Sequence, residues 1–314
     1  MGPAVLVRMS SEATASGRGA LLPSTRGASV GGRTDPSRRN WVKMTRSPTH
    51  SVGHHTPLWT LAIILLVTLA AYASAEVVDL SYVYNVNAPT YPAVKPFAMK
   101  VQQKGFIADG VWLEMNEFCT SEHSGTHVDA PVHFAQGSWY VDEIPLDRFW
   151  NISGVVVDVT QAVLRSASKN YAIQVEDLEK WEAKHGIIPD GAIVIFRTGW
   201  GEKVNNTKEY SGLDENNNIN FPGLSSEAAS WLAAYGDRRG YQKGVVAVGI
   251  DTFSLDVGNA TVYPAHVTLF KRNIYGVENM ANLEKLPAKG FTITVLPLRI
   301  RGGSGSPARV IASV

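Results

Sequence analysis

The stretch Glu122-His123-Ser124-Gly125-Thr126-His127-Val128-Asp129-Ala130-Pro131-Val132-His133-Phe134 contains three histidines and one aspartate within eleven residues. His127 and Asp129 lie two positions apart, so on an extended segment their side chains leave the same face, which His133 continues. Gly125 would let the backbone turn between the first two histidines. Imidazole and carboxylate groups are common ligands of Zn²⁺ and Mn²⁺, and close spacing lowers the loop-closure cost of a site. The stretch therefore predicts a metal site.

The distribution of histidines along the chain supports this interpretation. Five of the eight histidines lie beyond residue 75, and three of those five fall in this one stretch. Histidines scattered over a surface or a core would not concentrate in this way, whereas clusters of His, Asp and Glu mark metal or catalytic sites.

The pattern His123-x-Gly125-Thr126-His127-x-Asp129-x-Pro131-x-His133 resembles the signature of the metal-dependent cyclase family of hydrolases, which includes bacterial-type kynurenine formamidase and isatin hydrolase. The resemblance covers about residues 77–301. It implies a single layered α/β domain with a mixed β-sheet or barrel-like core and flanking helices. It further implies a two-metal site with shared carboxylates, leaving one histidine free for proton transfer. The first metal would take His123, His127, Asp129 and Glu278, the second Asp129, His266 and Glu278, and the free histidine would be His133.

The second half of this implied site lies far along the chain. His266 and Glu278 are twelve residues apart, in contexts that match the family well. Glu278 ends a predicted strand that begins near residue 273, and a carboxylate among apolar neighbours is costly to bury without a cation or a donor. One or two Zn²⁺ or Mn²⁺ ions per chain would supply that cation.

Aromatic residues are the candidates for substrate binding. Tyr91 lies between Pro89 and Pro92, where the family uses an aromatic residue to hold substrate and formamidases usually carry Trp. An ordinary turn aromatic is the alternative interpretation. Phe134 and Trp112 are further candidates for stacking on an aryl ring.

Apolar runs and helical patterns alternate along the chain, which predicts an α/β layered architecture. Continuous β-branched runs indicate strands buried on both faces, and a weaker alternation at 77–82 indicates one more strand. The runs cover residues 154–160, 192–198, 245–250 and 291–298, and the helical patterns cover 174–185 and 225–235. The polar segment 202–222 predicts a surface loop and a candidate lid.

Two further predictions concern single features. Asp251, after the strand at 245–250, could orient a metal ligand, or it could cap a polar turn. The Gly/Ser-rich segment after Arg301 is expected to be ordered only in its last few residues, if at all.

The segment before residue 76 differs from the rest in composition. Residues 1–57 are polar and rich in Ser, Gly and Arg, which predicts a disordered leader. Residues 58–75 contain an apolar run shorter than the roughly 20 residues of a spanning helix. They end in Ala73-Ser74-Ala75, which predicts a signal peptide cleaved before Glu76, and an uncleaved anchor is the alternative. Residues 76–314 would then form one secreted hydrolase domain, with no stable membrane insertion after cleavage.

Other features bound the partners and the compartment. Asn151, Asn205 and Asn259 begin Asn-x-Ser/Thr sequons, which together with the signal predict a glycoprotein. The net charge of +1 and the lack of a basic run after residue 75 give no indication of nucleic-acid binding. Cys119 is the only cysteine, so no intrachain disulfide can form. It lies four residues before His123, so a ligand or nucleophile role is the alternative to the favoured interpretation, a buried small apolar residue. The resemblance implies a homodimer.

Two classes of function remain open at this point. The first is a hydrolase that uses metal-activated water to cleave the C–N bond of a small aryl amide or cyclic amide, similar to N-formylkynurenine or isatin, with one or two metals. The second is a non-catalytic secreted metal-binding protein that retains the scaffold, because a fold alone does not fix an activity. His133 favours the enzyme, since a scaffold would not need a free imidazole beside the ligands.

Overall fold

The computed structural model describes residues 76–314, so the predicted leader and signal segment lie outside the described residues. The strands are β1 (Val77–Asp79), β2 (Ala98–Phe106), β3 (Trp112–Cys119), β4 (His127–Asp129), β5 (Ile152–Asp158), β6 (Ala172–Ile173), β7 (Ala192–Arg197), β8 (Gly223–Leu224), β9 (Val245–Ile250), β10 (Tyr275–Glu278), β11 (Lys289–Pro297) and β12 (Gly305–Ser313). The helices are α1 (Thr160–Arg165), α2 (Val175–His185), α3 (Thr207–Tyr210), α4 (Ser226–Ala233), α5 (Tyr235–Arg239) and α6 (Pro264–Phe270).

The main sheet closes on itself. Its strands pair in the order β12-β11-β5-β7-β9-β10-β4, and β4 pairs back to β12, while β1 also lies on β12. Strands β5, β7, β9 and β10 are parallel, and the remaining pairs of this sheet are antiparallel. The predicted α/β fold with a mixed, barrel-like core is confirmed.

The parallel strands occupy the interior, as their sequences predict. All six residues of β9 and the first five of β7 are buried, because both faces of these strands are covered. Strand β11 differs from the prediction of two-sided burial. Its residues alternate, with Phe291, Ile293 and Val295 buried between less buried neighbours, as in an antiparallel strand with one wetter face.

Two helices that cover the sheet match their predicted positions. In α2, Leu178 and Trp181 are buried, and the Trp181 indole N–H donates to the Val156 carbonyl at 2.8 Å. Helix α4 begins after Ser225, whose hydroxyl accepts the Ala228 N–H at 3.0 Å as an N-cap. These caps and apolar stripes are local features, which is why the sequence predicts them.

The segment after Arg301 contradicts its prediction, because it forms the nine-residue strand β12. Ala308, Val310 and Ala312 are buried while Arg309 is exposed, so the strand has the period of two that a half-buried strand requires. The small residues that open this segment suggested a linker. They instead allow close approach to the strand that carries the metal motif.

The hairpin of β2 and β3 is the least covered part of the described chain. The two strands pair antiparallel only with each other, and nearly all of their residues are exposed. Cys119, at the end of β3, is exposed rather than buried as expected, and the Lys95 amine lies 3.3 Å from its sulfur. The expectation failed because it relied on the general preference of free cysteine for cores, which a hairpin with no cover cannot satisfy.

The polar segment 202–222 is more embedded than a surface loop. It contains α3, and the side chains of Tyr210 and Phe221 are buried against Phe253. Among residues 76–314, no helix has the length and apolar character needed to cross a membrane.

Candidate active site

The register of β4 and β10 brings the two halves of the candidate site together. In this antiparallel pair Glu278 lies opposite His127, and Gly276 lies opposite Asp129. A Cβ at Gly276 would lie 3.2 Å from the Asp129 Cβ, so the glycine leaves room for the carboxylate. Gly125 has a φ of +63° and forms the predicted turn before β4. The sequence separation between the two halves is thus closed by strand pairing.

Two carboxylates lie between two imidazoles at the centre of the site. His127 Nε2 is 3.2 Å from Asp129 Oδ1 and 3.4 Å from Glu278 Oε2. His266 Nε2 is 3.2 Å from Asp129 Oδ2 and 3.1 Å from Glu278 Oε1. All four residues are at most 4 % exposed, so their charges cannot be balanced by solvent.

The donor set and an orphaned atom show that these residues fit a divalent metal ion. His127 Nδ1 lies 2.9 Å from the Gly125 carbonyl, to which only a protonated Nδ1 can donate. In the neutral ring Nε2 then carries the lone pair, and this buried atom has no hydrogen-bond partner among the described residues. Burial lowers the His127 pKa, but the carboxylates of Asp129 and Glu278 outweigh it and raise that pKa to about 10. The carboxylates thus strongly favour a positive charge at this position. A Zn²⁺ or Mn²⁺ ion bound by these nitrogen and oxygen atoms would supply it.

His266 is held by a carboxylate that the sequence did not single out as a partner. Its Nδ1 lies 2.5 Å from Asp256 Oδ2, and the other oxygen of Asp256 accepts the Ala265 N–H at 2.8 Å. This fixes Nδ1 as the donor and aims Nε2 at the cluster. Asp256 lies five residues after Asp251 in the segment that follows β9. From this segment the sequence predicts Asp251 as the residue that orients a metal ligand, and not Asp256.

Asp251 does not orient a metal ligand. Its carboxylate accepts the Thr198 hydroxyl at 2.6 Å and the Gly199 N–H at 2.9 Å, so it ties the loop after β7 to the end of β9. The alternative interpretation, a capped strand end, is the one that the geometry supports.

His123 and His133 lie beside the central cluster. The Nδ1 of His123 is 2.6 Å from Asp129 Oδ1, and its ring stacks on His133 with centroids 3.9 Å apart and planes 20° apart. His133 ends a short turn that begins at Pro131, so its ring faces the same cavity as the ligand candidates. Burial is the main cause that lowers the His133 pKa to about 4, so this imidazole is neutral at pH 7.

The cluster forms the floor of a small cavity of about 170 Å³. Tyr91 and Phe134 line it, as the sequence predicts, whereas Trp112 lies on the exposed hairpin and is excluded from it. Sequence reasoning missed Phe253 and Tyr263, which complete the aromatic wall; Tyr91 meets Phe253 edge to face at 6.1 Å. The arrangement can hold a flat apolar group above the cluster of candidate metal ligands.

Comparisons with known proteins agree with this geometry. A family model described as "Putative cyclase" matches residues 78–257. The isatin hydrolase of Roseibium aggregatum is 32% identical over 252 residues, which cover 76% of this chain and 92% of that protein. A kynurenine formamidase of Bacillus cereus is 26% identical over 238 residues, covering 76% of this chain and 97% of that enzyme.

Solved structures agree as well. The crystal structure of an isatin hydrolase bound to the product analogue thioisatinate superposes with a TM-score of 0.68 at 29% identity. The match covers 81% of this chain and 98% of that one, so the likeness extends over the barrel and the cluster rather than over an isolated motif.

Proposed function

We propose, from the premise that this chain belongs to the cyclase family of metal-dependent hydrolases, that it cleaves the C–N bond of a small cyclic or linear aryl amide. The observation that carries this proposal is the convergence of two imidazoles and two carboxylates on the floor of an aromatic-walled cavity. Metal ligands alone would suit many reactions, and aromatic walls alone would suit many ligands. Their combination fits hydrolysis of an aryl-bearing substrate.

The proposed metal ligands are the residues that surround the shared carboxylates: His123, His127, Asp129, His266 and Glu278. Asp129 lies against three imidazoles, since its oxygens face His123, His127 and His266. A bound Zn²⁺ or Mn²⁺ would polarise the substrate carbonyl and make a water molecule more acidic. One or two ions fit this donor set.

His133 is proposed to move the proton. Hydrolysis adds water to the carbonyl carbon and breaks the C–N bond, so one proton must pass from the water to the leaving nitrogen. His133 lies beside the ligand candidates, lines the cavity and stacks on His123. From this position one imidazole could take the proton from the water and pass it to the leaving nitrogen. The second proton of the water is released when the new carboxylic acid ionises, so a linear amide gives a carboxylate and an amine, and a cyclic amide gives one ring-opened molecule that carries both groups.

The size and walls of the cavity favour a compact substrate. Its volume of about 170 Å³ is below the ~300–1,000 Å³ that is common for drug-sized ligands. Isatin is a compact fused ring, whereas N-formylkynurenine carries a longer side chain, so the small volume favours an isatin-like substrate. Tyr91 in place of the usual Trp of formamidases supports the same preference, and we therefore propose an isatin-like cyclic amide first and a linear formamide second.

The test is metal analysis and steady-state kinetics on one purified sample. We expect one or two Zn²⁺ or Mn²⁺ ions per chain and turnover of isatin, with slower turnover of N-formylkynurenine and little of an aliphatic formamide. Metal-loaded protein that hydrolyses neither aryl substrate would contradict the proposal. Equal kcat/KM for the aliphatic formamide would contradict the role of the aromatic wall.

A homodimer is proposed from the exposed hairpin of β2 and β3. An isolated two-stranded hairpin is only marginally stable in water. The register places Met99, Val101, Phe106, Trp112 and Phe118 on one face, and each is more than half exposed. A second copy would cover this face. Light scattering should report a dimer that Phe106→Ser weakens, whereas Leu164→Ser, on the exposed side of α1, should leave it intact.

Secretion is proposed from the signal peptide that the sequence predicts. The exposed positions of Asn151, Asn205 and Asn259 support it, because a glycan needs an accessible asparagine. Material from the medium should begin at Glu76 and lose mass on glycosidase treatment. A cytosolic protein that retains residues 1–75 and carries no glycan would contradict it.

A further inference from the structure

A chain of hydrogen bonds runs from the C-terminal segment to His123. Glu122 Oε2 lies 2.7 Å from the Ser304 hydroxyl and 3.0 Å from the Ser304 backbone N–H. The same hydroxyl lies 3.0 Å from His123 Nε2. We propose that Glu122 and Ser304 form a positioning pair that keeps the proton of His123 on Nε2. The lone pair of Nδ1 is then directed to the place where the cluster of ligand candidates would hold a metal ion.

The direction of the chain follows from counting hydrogens. An ionised carboxylate can only accept, so the contact between Glu122 and the Ser304 oxygen must use the single hydroxyl hydrogen. The Ser304 oxygen is then an acceptor towards His123, and the ring nitrogen facing it must carry a proton. The opposite nitrogen, Nδ1, lies 2.6 Å from Asp129 Oδ1 and faces the cluster.

The other two imidazoles of the cluster show the same principle with different acceptors. His127 is fixed by the Gly125 carbonyl and His266 by the Asp256 carboxylate, and both present Nε2 to the shared carboxylates. His123 is the one ligand candidate that would bind through Nδ1. It therefore needs an acceptor on its far side, and Ser304 with Glu122 supplies it.

Packing places this acceptor accurately. The Ala130 N–H donates to the Ser304 carbonyl at 2.9 Å, and Gly305 lies opposite Asp129 in the pairing of β4 with β12. A Cβ at Gly305 would lie 2.5 Å from His123 Cε1, so only glycine leaves room for the ring. The register of β12 thus fixes both the space for His123 and the serine that orients it.

The inference rests on the proposed function only in taking His123 as a metal ligand. Its first test is the tautomer, read from two-dimensional ¹⁵N–¹H correlation spectra of the full chain with ¹⁵N-labelled histidine and bound Zn²⁺. We expect the Nε2–H form of His123. Observation of the Nδ1–H form would overturn the proposal.

The second test is Zn²⁺ affinity by chelator competition. Loss of a hydrogen-bond partner of a metal-binding histidine costs about 10- to 100-fold in metal affinity, so Ser304→Ala should weaken Zn²⁺ binding by that factor. Ser304→Thr keeps the hydroxyl and should retain most of the wild-type affinity. Glu122→Gln, which leaves one oxygen to accept, should have an intermediate effect.

Ser306→Ala is the matched control, because this buried serine lies two residues after Ser304, in β12, and its hydroxyl donates only to the Pro307 carbonyl among the described residues. Its affinity should equal that of the wild type. Unchanged affinity in Ser304→Ala, or failure of Ser304→Thr to restore it in a folded protein, would overturn the positioning role. Because neither readout uses a substrate, a protein that binds Zn²⁺ as expected but cleaves no amide would refute only the proposed function.

Discussion

The motif at residues 122–134 and the segment at residues 302–313 lie side by side in the site, yet they contribute different things. The motif supplies three of the five proposed metal ligands, and its spacing predicts them. The second segment supplies a serine, a glycine and a strand register, which orient one of those side chains. Three of the proposed ligands can therefore be identified from one short stretch, whereas the orientation of His123 depends on a segment about 180 residues away.

The largest expected effect is the loss of the ligand that the motif places at its centre. Asp129→Ala should abolish both metal binding and hydrolysis, because Asp129 contacts three imidazoles and would supply the carboxylate at the centre of the proposed ligands. Elemental analysis and activity assays measure both. Asp237→Ala, an exposed carboxylate that pairs with Arg272, should change neither. Full metal loading of Asp129→Ala would break the comparison, since the motif would then not hold the ion.

A smaller effect separates chemistry from metal binding within the motif. His133→Ala should keep the metal and the fold but lower kcat by about 10²–10⁴-fold, which is the usual contribution of a general acid–base group. His185→Ala, at the C-terminal end of α2 and outside the cavity lining, is the control. If His133→Ala loses metal in proportion to activity, the residue is a ligand rather than a proton carrier; its ring nitrogen does lie within 4.8 Å of ligand atoms of His123 and Asp129.

The contribution of the C-terminal segment can be tested without removing any ligand. Gly305→Ala should weaken Zn²⁺ binding by roughly 10-fold or more, because the new methyl group would displace the His123 ring. Gly302→Ala strains a backbone at φ +68° in the same segment but meets no atom within 4 Å. It should lower the melting temperature and leave the Zn²⁺ affinity unchanged. Equal affinities in the two variants would show that orientation does not depend on this segment.

The smallest expected effect concerns the cavity wall. Tyr91→Ala should lower kcat/KM for an aryl substrate by at least roughly 2- to 12-fold, since aromatic pairs contribute about 0.5–1.5 kcal/mol beyond area burial and the variant also loses buried area. Tyr91→Phe should retain the activity, because the ring rather than the hydroxyl makes the contact. A similar loss with an aliphatic formamide would show that Tyr91 supports the fold instead of the substrate.

The parts of the molecule that could be predicted are those whose signal is local. A few neighbouring residues are enough to predict the buried strands β7 and β9, the helix cap at Ser225 and the motif itself. The family resemblance implied His266 and Glu278, and the structure brings both to the cluster.

The parts that could not be predicted depend on distant partners. Ser304 and Gly305 resemble a linker because small polar residues carry no periodic signal, and only the pairing with β4 gives them a role. Asp251 and Asp256 lie five residues apart in the segment after β9, and the position of α6 decides which of them meets His266. The apolar residues of the hairpin have the same sequence pattern as a buried strand. Their exposure depends on which other parts of the chain pack on them, and this is not encoded within the hairpin.

The closure of the sheet through β12 also has a consequence for how the protein is made. Strand β12 pairs with β1, β4 and β11, and Val310 N–H donates to the Ser81 hydroxyl 229 residues earlier. During synthesis the ring must therefore stay open, with the edges of β4 and β11 unpaired, until residues 305–313 have left the ribosome. Pairings of such long sequence separation form slowly, and open edges invite association with other chains. Chaperones that protect these edges would be expected to affect the yield of folded protein more than its final stability.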